Sequence, residues 1–520
     1  MNRAERFILA VDLGTGGPKV GFVSLDGHVV WSDHVAVQTV YGEGGAATQD
    51  AEAWWTIIVD ATRRGLAASG VTGEQVVGVS VTGQWASTVP VDAGGRPTGP
   101  CVMWMDHRGA PYSAKAFGGP VQGYRARALA TWIRRTGGMP TPSGDDGVGH
   151  ILYLQHDEPA INAATRWFLE PVDYLSMRFT GRAAASRASM AGMWLTDNRD
   201  LTVLDYDDTL VRLAGIDRAK LPPLVPTGSI IARVAPAVAA ELGISPEAQV
   251  VTGTPDLHSA AVGSGAIRER ELHMTISTTS WISCPMSRKK TDVFHQMATV
   301  PGLDSSSYLL INNQDTAGRS LEWLRDNIFD RPAPDYEALT ALAAAVPPGS
   351  NGIIFTPWLK GEHSPIDDRN ARGGFHNLSL ATTRAEMVRA VLEGVAYNSR
   401  WLLHHVDKFA GITGGGGGPI HIIGGGARSD LWCQIMADVC NRTMERVADP
   451  FNAQLRGAAL FAGLAMGELD RTEIPDLIPI GGVFAPTAEH RVVYDRLFAE
   501  FAGCYKAQKG MFARLNGSAD

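Results

Sequence analysis

Two aspartates in this sequence each follow an apolar strand and lie beside a glycine-containing turn, a setting in which a carboxylate can serve phosphoryl transfer. Asp12 closes the run Phe7 to Val11 and precedes Gly14-Thr15-Gly16-Gly17. Asp256 follows Gln249 to Thr252 and the turn Gly253-Thr254-Pro255. Two readings are open for each. Asp12 either holds a Mg2+ ion, directly or through water, beside phosphates, or satisfies the amides of its own turn. Asp256 is either a general base for an attacking hydroxyl or a first-turn helix acid, with Thr254 as N-cap and Pro255 at N1. Three turns of small residues end strands: Gly14 to Gly17, Thr278-Thr279-Ser280 and Gly424-Gly425-Gly426. Backbone N–H groups there can cradle phosphates, or the turns are hairpins that simply need glycine. A P-loop pattern is absent, as is G-x-G-x-x-G after the first strand, which argues against a nicotinamide fold.

A second constellation suits a polyhydroxylated ligand. Thr82-Gly83-Gln84-Trp85 and Trp104-Met105-Asp106-His107-Arg108 combine indole faces with amide, carboxylate and guanidinium groups. Sugars need that mixture, because their C–H faces stack on aromatics while their hydroxyls need donors and acceptors. The plainer reading makes Trp104 a core residue and pairs Asp106 with Arg108. Lys19 lies beyond the first turn and either supports it or points to solvent.

The elements that would position these groups alternate between strand and helix. Apolar runs broken by Gly and Asp26-Gly27 predict antiparallel hairpins over the first thirty or so residues. Trp54, Trp55, Ile58, Val59 and Leu66 recur at helical spacing, with Thr62 the one polar position on that face. Val76 to Val81 reads as a strand ending at Thr82. Later, Leu272 to Ser277, Trp281 to Ser283 and Ile420 to Ile423 read as strands, Arg384 to Phe409 as a long helix, and a further helix starts near Ser429. This is α/β architecture. Two large lobes are expected, residues 1–250 and 251–520, and glycine-ended strands in both hint at duplication. The run Gly414 to Gly418 is expected to be a surface turn.

Composition narrows the class further. There are 520 residues, and 46 Lys and Arg against 54 Asp and Glu give a net charge of −8, without the basic stripe of a nucleic-acid binder. The 58 glycines exceed the usual share of about 7%. Five widely spaced cysteines with no C-x-x-C pair read as reduced thiols. Met1 to Ala10 is too polar for a signal peptide, and no apolar stretch is long enough for a membrane span, so a cytoplasmic protein with no membrane partner is expected.

The pieces in order resemble the FGGY carbohydrate kinases, a branch of the actin-like ATP-binding proteins, in particular the xylulokinase pattern. The resemblance runs from D-L-G-T-G-G-P-K at Asp12 through T-G-Q at Thr82, W-M-D-H-R at Trp104 and D-Y-L-S-M-R-F-T-G at Asp173. It continues with G-T-P-D at Gly253, P-W-L-K-G-E-H-S-P at Pro357 and G-G-G-A-R-S-D at Gly424. It implies two actin-like (ribonuclease-H-like) lobes with ATP and a sugar in the cleft between them. Gly14, Thr15, Thr278 and Thr279 would face the ATP phosphates, Asp12 would sit near Mg2+, and Gly425, Gly426 and Ala427 would meet the adenosine. Gln84, Trp85, Trp104 and Asp106 would line the sugar site, with Asp256 as the base. Family members are often homodimers, although no stripe in the sequence marks an interface. Where xylulokinases carry Met-His after T-G-Q, this chain has Trp85-Ala86, and Leu257 replaces a polar residue. The resemblance therefore implies a kinase of a ketopentose such as D-xylulose, or of another sugar or polyol such as erythritol, ribulose, glycerol or gluconate. A non-catalytic, sugar-responsive relative would most cheaply have lost Asp256.

Overall fold

The computed structural model describes residues 2–121, 123–413 and 417–517; Gly414 to Gly416 of the expected surface turn lie outside the described residues. Strand β1 (Phe7–Gly14) pairs antiparallel with β2 (Gly17–Ser24) through a two-residue turn, Thr15-Gly16. Gly17 is required there: at φ +133°, a Cβ on it would lie 2.1 Å from the Val35 carbonyl oxygen. After the Asp26-Gly27 turn, β3 (Val29–His34) pairs with β2. Helix α1 (Ala51–Ser69) is capped by the Asp50 side chain, which accepts from the Glu52 N–H at 2.9 Å. Its apolar face is buried, and Thr62 enters the core by donating to the Ile58 carbonyl at 2.7 Å.

Strand β4 (Val76–Gly83) runs parallel to β1 and sets Thr82 beside Asp12. Next come α2 (Pro171–Thr180), β5 (Ile230–Arg233) and β6 (Gln249–Val251). The first sheet has the order β5-β6-β4-β1-β2-β3, and Thr254–Pro255 also pairs with β4. The lobe boundary expected at residue 250 therefore falls inside β6, and the chain leaves this sheet only at Pro255. It continues as α3 (Asp256–Ser264).

The second lobe repeats the scheme. Hairpin β7 (His273–Ile276) and β8 (Ser280–Ser283) precedes the long helix α4 (Arg384–Ala410), which opens with a Thr383–Glu386 capping box. Then follow β9 (Ile420–Ile423), α5 (Asp430–Cys440, capped by Ser429), β10 (Met444–Val447), α6 (Ala453–Ala465) and β11 (Ile480–Phe484). Its sheet order is β8-β7-β9-β10-β11. In each lobe a hairpin is extended by two parallel strands and then one antiparallel strand. The echo seen in the sequence is thus an echo of topology.

Helices α3 and α6 join the lobes with their backbones in contact. A Cβ on Gly263 would lie 1.8 Å from the Ala453 carbonyl oxygen, and one on Gly457 would lie 1.8 Å from that of Ser259. Around this crossing, Ile8 and Ala10 of β1 share one core with Leu257, Val262, Leu455 and Leu460. The ends of β1 and β4 and the start of α3 are therefore held by dense packing, and these are the elements that carry Asp12, Gln84 and Asp256. All five cysteines are free. Among the described residues no helix is long and apolar enough to cross a membrane.

Candidate active site

Asp256 is the first residue of α3, with Pro255 as N-cap. The expected cap at Thr254 is displaced by one residue because Thr254 and Pro255 pair with Thr82 and Gly83 of β4. One turn on, Ser259 accepts from the Thr82 hydroxyl at 2.8 Å and donates to the Asp256 carbonyl at 3.0 Å. Asp256 is half-buried, and its carboxyl is pushed up to about 7, first by desolvation and then by the charge of neighbouring Asp12. The structure thus brings together two acids that lie far apart in the chain.

Asp12 is itself buried. Lys19 lies 3.5 Å from its Oδ2, donates to the Phe451 carbonyl of the second lobe at 2.8 Å and rests 4.0 Å over the Phe451 ring. Lys19 is buried, so of its two readings the supporting one holds. Asp12 and Asp256 are neighbouring hard oxygen donors, with the Lys19 ammonium beside Asp12. That fits a divalent ion such as Mg2+, which takes one or two carboxylates and completes its shell with water and phosphate.

The acceptor-side residues divide. Gln84 is buried, and neither its carboxamide nitrogen nor its oxygen has a partner. An unpaired buried polar atom costs about 1–3 kcal/mol, so this amide is suited to a ligand that pairs it. Trp104 is half-buried; its indole N–H donates to the Thr15 hydroxyl at 3.1 Å and its backbone N–H to the Ser87 hydroxyl at 2.9 Å. It therefore ties the acceptor side to the β1–β2 turn. Trp85 is oriented differently. Its indole N–H donates to the Ser189 carbonyl at 2.6 Å and the ring packs where a Gly192 Cβ would stand, so its polar handle is already satisfied within the protein.

Asp106 departs furthest from the expectation that it binds sugar. It is fully buried; its carboxylate accepts from the Ala47 N–H at 2.8 Å and is forked by Arg108, with the shortest contact 2.7 Å. The ion-pair reading accounts for these contacts, which tie the loop after Trp104 to the Ala47 backbone.

In the second lobe, Ser277-Thr278-Thr279 forms the β7–β8 turn. The Thr278 carbonyl accepts from Ala317 N–H at 3.0 Å, Thr278 is exposed, and the Ser280 hydroxyl is buried without a partner. Gly424 adopts φ +94°, where a Cβ would stand 2.4 Å from the Ile276 carbonyl oxygen. Beside it Gly425 is exposed, with nothing near its missing Cβ. Ala427, expected against adenosine, is instead fully buried in the second-lobe core, because the turn of helix after Gly424 directs its methyl inward. Among the described residues no hydrogen bond joins the Gly14–Thr15 turn to the turns at Thr278 or Gly425. Lys360 of the second lobe does reach across, its ammonium 5.1 Å from the Trp104 ring centre. Sequence reasoning passes over Lys360 as part of a pattern, and over Ser259, whose only signal is its position one turn after Asp256.

The chain matches two family models in succession: the N-terminal domain of the FGGY family of carbohydrate kinases over residues 7–263 and the C-terminal domain over residues 272–466. It is 28% identical over 519 residues to a xylulose kinase of Staphylococcus epidermidis, covering 98% of this chain and 99% of that protein. It is 26% identical over 527 residues to a gluconokinase of Bacillus subtilis, covering 98% and 97%. The solved structure of a xylulose kinase from Rhodospirillum rubrum superposes with a TM-score of 0.80 at 26% identity, covering 98% of this chain and all of that one.

Proposed function

Because the chain belongs to the FGGY family of carbohydrate kinases, we propose that it transfers the γ-phosphoryl group of ATP to a hydroxyl of a ketopentose such as D-xylulose. The observation that carries this is the Asp12–Asp256 pair, with a carboxyl at Asp256 raised to about 7, together with a buried, unpartnered Gln84 amide just after the strand that pairs with Thr254 and Pro255. A carboxylate in that range is matched to accept a proton near neutral pH. Asp256 takes the proton of the attacking hydroxyl as the new O–P bond forms. Gln84 orients the acceptor chain and the Trp104 face packs on its C–H groups. Gly14 and Thr15 from one lobe, with Thr278 and Thr279 from the other, offer donors to the phosphates; Gly425 leaves room for the nucleoside, and Gly426, packed on Ile276 and Trp432, meets it through its backbone. Asp12 would hold Mg2+, which when bound neutralises charge on the transferring phosphate. Asp106 acts indirectly, through Arg108 and the Trp104 loop. Residues up to Pro255 form the acceptor-side lobe and those after it the nucleotide-side lobe.

One observation favours a second acceptor class, the aldonates. Lys360 is exposed, makes no hydrogen bond or ion pair among the described residues, and stands over Trp104. A cation whose main partner is a ring face has only about 0.5–1 kcal/mol from it, so a carboxylate on the substrate competes easily. A coupled ADP-release screen of ketoses, alditols and aldonates, compared by kcat/KM, decides between them. D-xylulose is expected to lead. An aldonate leading it by more than about tenfold would replace the first reading with the second, and no ADP release with any acceptor would overturn both.

A further inference from the structure

The loop that carries Gln84 contains a backbone outlier. Ala86 sits at φ +59°, in the left-handed region that glycine enters freely and alanine does not. Such a conformation is strained and persists only where its surroundings enforce it. The enforcing group here is Glu170. Its side chain is fully buried, its Oε2 accepts from the Ser87 N–H at 3.3 Å, and the Ala86 N–H lies close enough to influence the same carboxyl. The neighbouring strand Trp167–Leu169 pairs antiparallel with Val89–Val91, and α2 begins at the next residue, so the backbone of Glu170 is fixed from both sides. Ser87 then carries the constraint onward: its hydroxyl accepts the Trp104 backbone N–H at 2.9 Å. One carboxylate thus touches the turn after Gln84 and, through Ser87, seats Trp104. Neither the reaction described above nor any packing requirement accounts for a buried acid at this point.

We propose that Glu170 is a positioning residue of the acceptor site, holding Ala86 left-handed so that Gln84 and Trp104 face the substrate together. This rests on the reading of Gln84 and Trp104 as acceptor-binding. A structural role alone would lower stability and disturb both substrates alike, whereas a positioning role affects the acceptor only.

The test compares KM and kcat for acceptor and ATP in Gln84→Ala, Glu170→Ala, Glu170→Gln, Ser87→Ala and the double variant Glu170→Ala/Ala86→Gly. Glu170→Ala is expected to raise the acceptor KM by about tenfold with the ATP KM unchanged, the equivalent of releasing one strained residue. Glu170→Gln retains an oxygen that accepts the Ser87 N–H and stays near the parent value. In the double variant the glycine introduced after Trp85 takes the left-handed turn without strain, so most of the loss is recovered. Ser87→Ala reads the same chain from its other end, and raises the acceptor KM alone even should Glu170→Ala not fold. An unchanged acceptor KM in Glu170→Ala or Ser87→Ala, parallel rises for ATP and acceptor, or a glycine that rescues nothing would each overturn the proposal. If Gln84→Ala leaves the acceptor KM untouched, the acceptor reading falls, and the proposal with it. If Gln84→Ala raises it and the Glu170 and Ser87 variants do not, the proposal alone falls.

Discussion

Alanine substitutions separate the glycines this fold needs from those its ligands need. Gly16 and Gly425 both lie on turns assigned to the nucleotide; neither adopts a positive φ, and a Cβ on either would meet nothing within 4 Å. Their partners in the same turns differ. Gly17 at φ +133° and Gly424 at φ +94° would drive a Cβ to 2.1 Å and 2.4 Å from carbonyl oxygens of Val35 and Ile276. Gly16→Ala and Gly425→Ala therefore leave the fold intact and restrict the unfolded chain, a gain of about 0.4–1 kcal/mol each. In the nucleotide-bound state the added methyl stands on the open side of the turn, where phosphate or ribose must approach. Losing one good amide contact there raises the ATP KM by about tenfold, the equivalent of about 1.4 kcal/mol. Gly17→Ala and Gly424→Ala combine backbone strain with overpacking and lose about 2–4 kcal/mol. Thermal unfolding and ADP-release kinetics on the four variants give both readings from the same preparations. Parent-like ATP KM values in Gly16→Ala and Gly425→Ala would refute the assignment of these turns, and a marked loss of stability in either would refute the steric reasoning.

Two further outcomes follow. With the Asp256 carboxyl raised to about 7 by burial and by Asp12, kcat/KM for the acceptor falls by about tenfold per pH unit on the acid side, because only the ionised form accepts a proton. A cation bound at Asp12 reduces that repulsion, so raising Mg2+ moves the limb to lower pH; a pH profile flat across it would contradict the pair. Behind these turns, Glu393 is fully buried and accepts from Gly349 N–H, Ser350 hydroxyl, Arg389 and Tyr494 hydroxyl. Glu393→Leu leaves Arg389 buried without its carboxylate and lowers stability by about 3–5 kcal/mol, measured by denaturant unfolding, with kcat at 25 °C unchanged.

What can be read from the sequence is what local chemistry determines. The helix expected from near Ser429 starts there with Ser429 as its cap, and the Asp26-Gly27 turn separates β2 from β3, because capping and turn preferences act over only a few residues. The cap of α3 falls one residue beyond Thr254 because a long-range pairing with β4 outweighs a local preference. The site is legible as a set of residues only through the family resemblance; nothing local sets Asp12 beside Asp256. Side-chain direction is illegible. Ala427 turns into the core, Trp85 bonds Ser189, and Asp106 is captured by a backbone N–H 59 positions away. Glu170 leaves no trace at all, since its meaning lies in the left-handed turn it holds rather than in its own neighbours.

The central claim is that Asp256 is the base, and Asp256→Asn tests it most directly. The amide keeps the shape and the first position of α3 but cannot take a proton. The account predicts that kcat falls by about three orders of magnitude while ATP affinity, measured by titration without acceptor, stays within about twofold of the parent. Turnover near the parent rate in a folded, ATP-binding Asp256→Asn protein would contradict it.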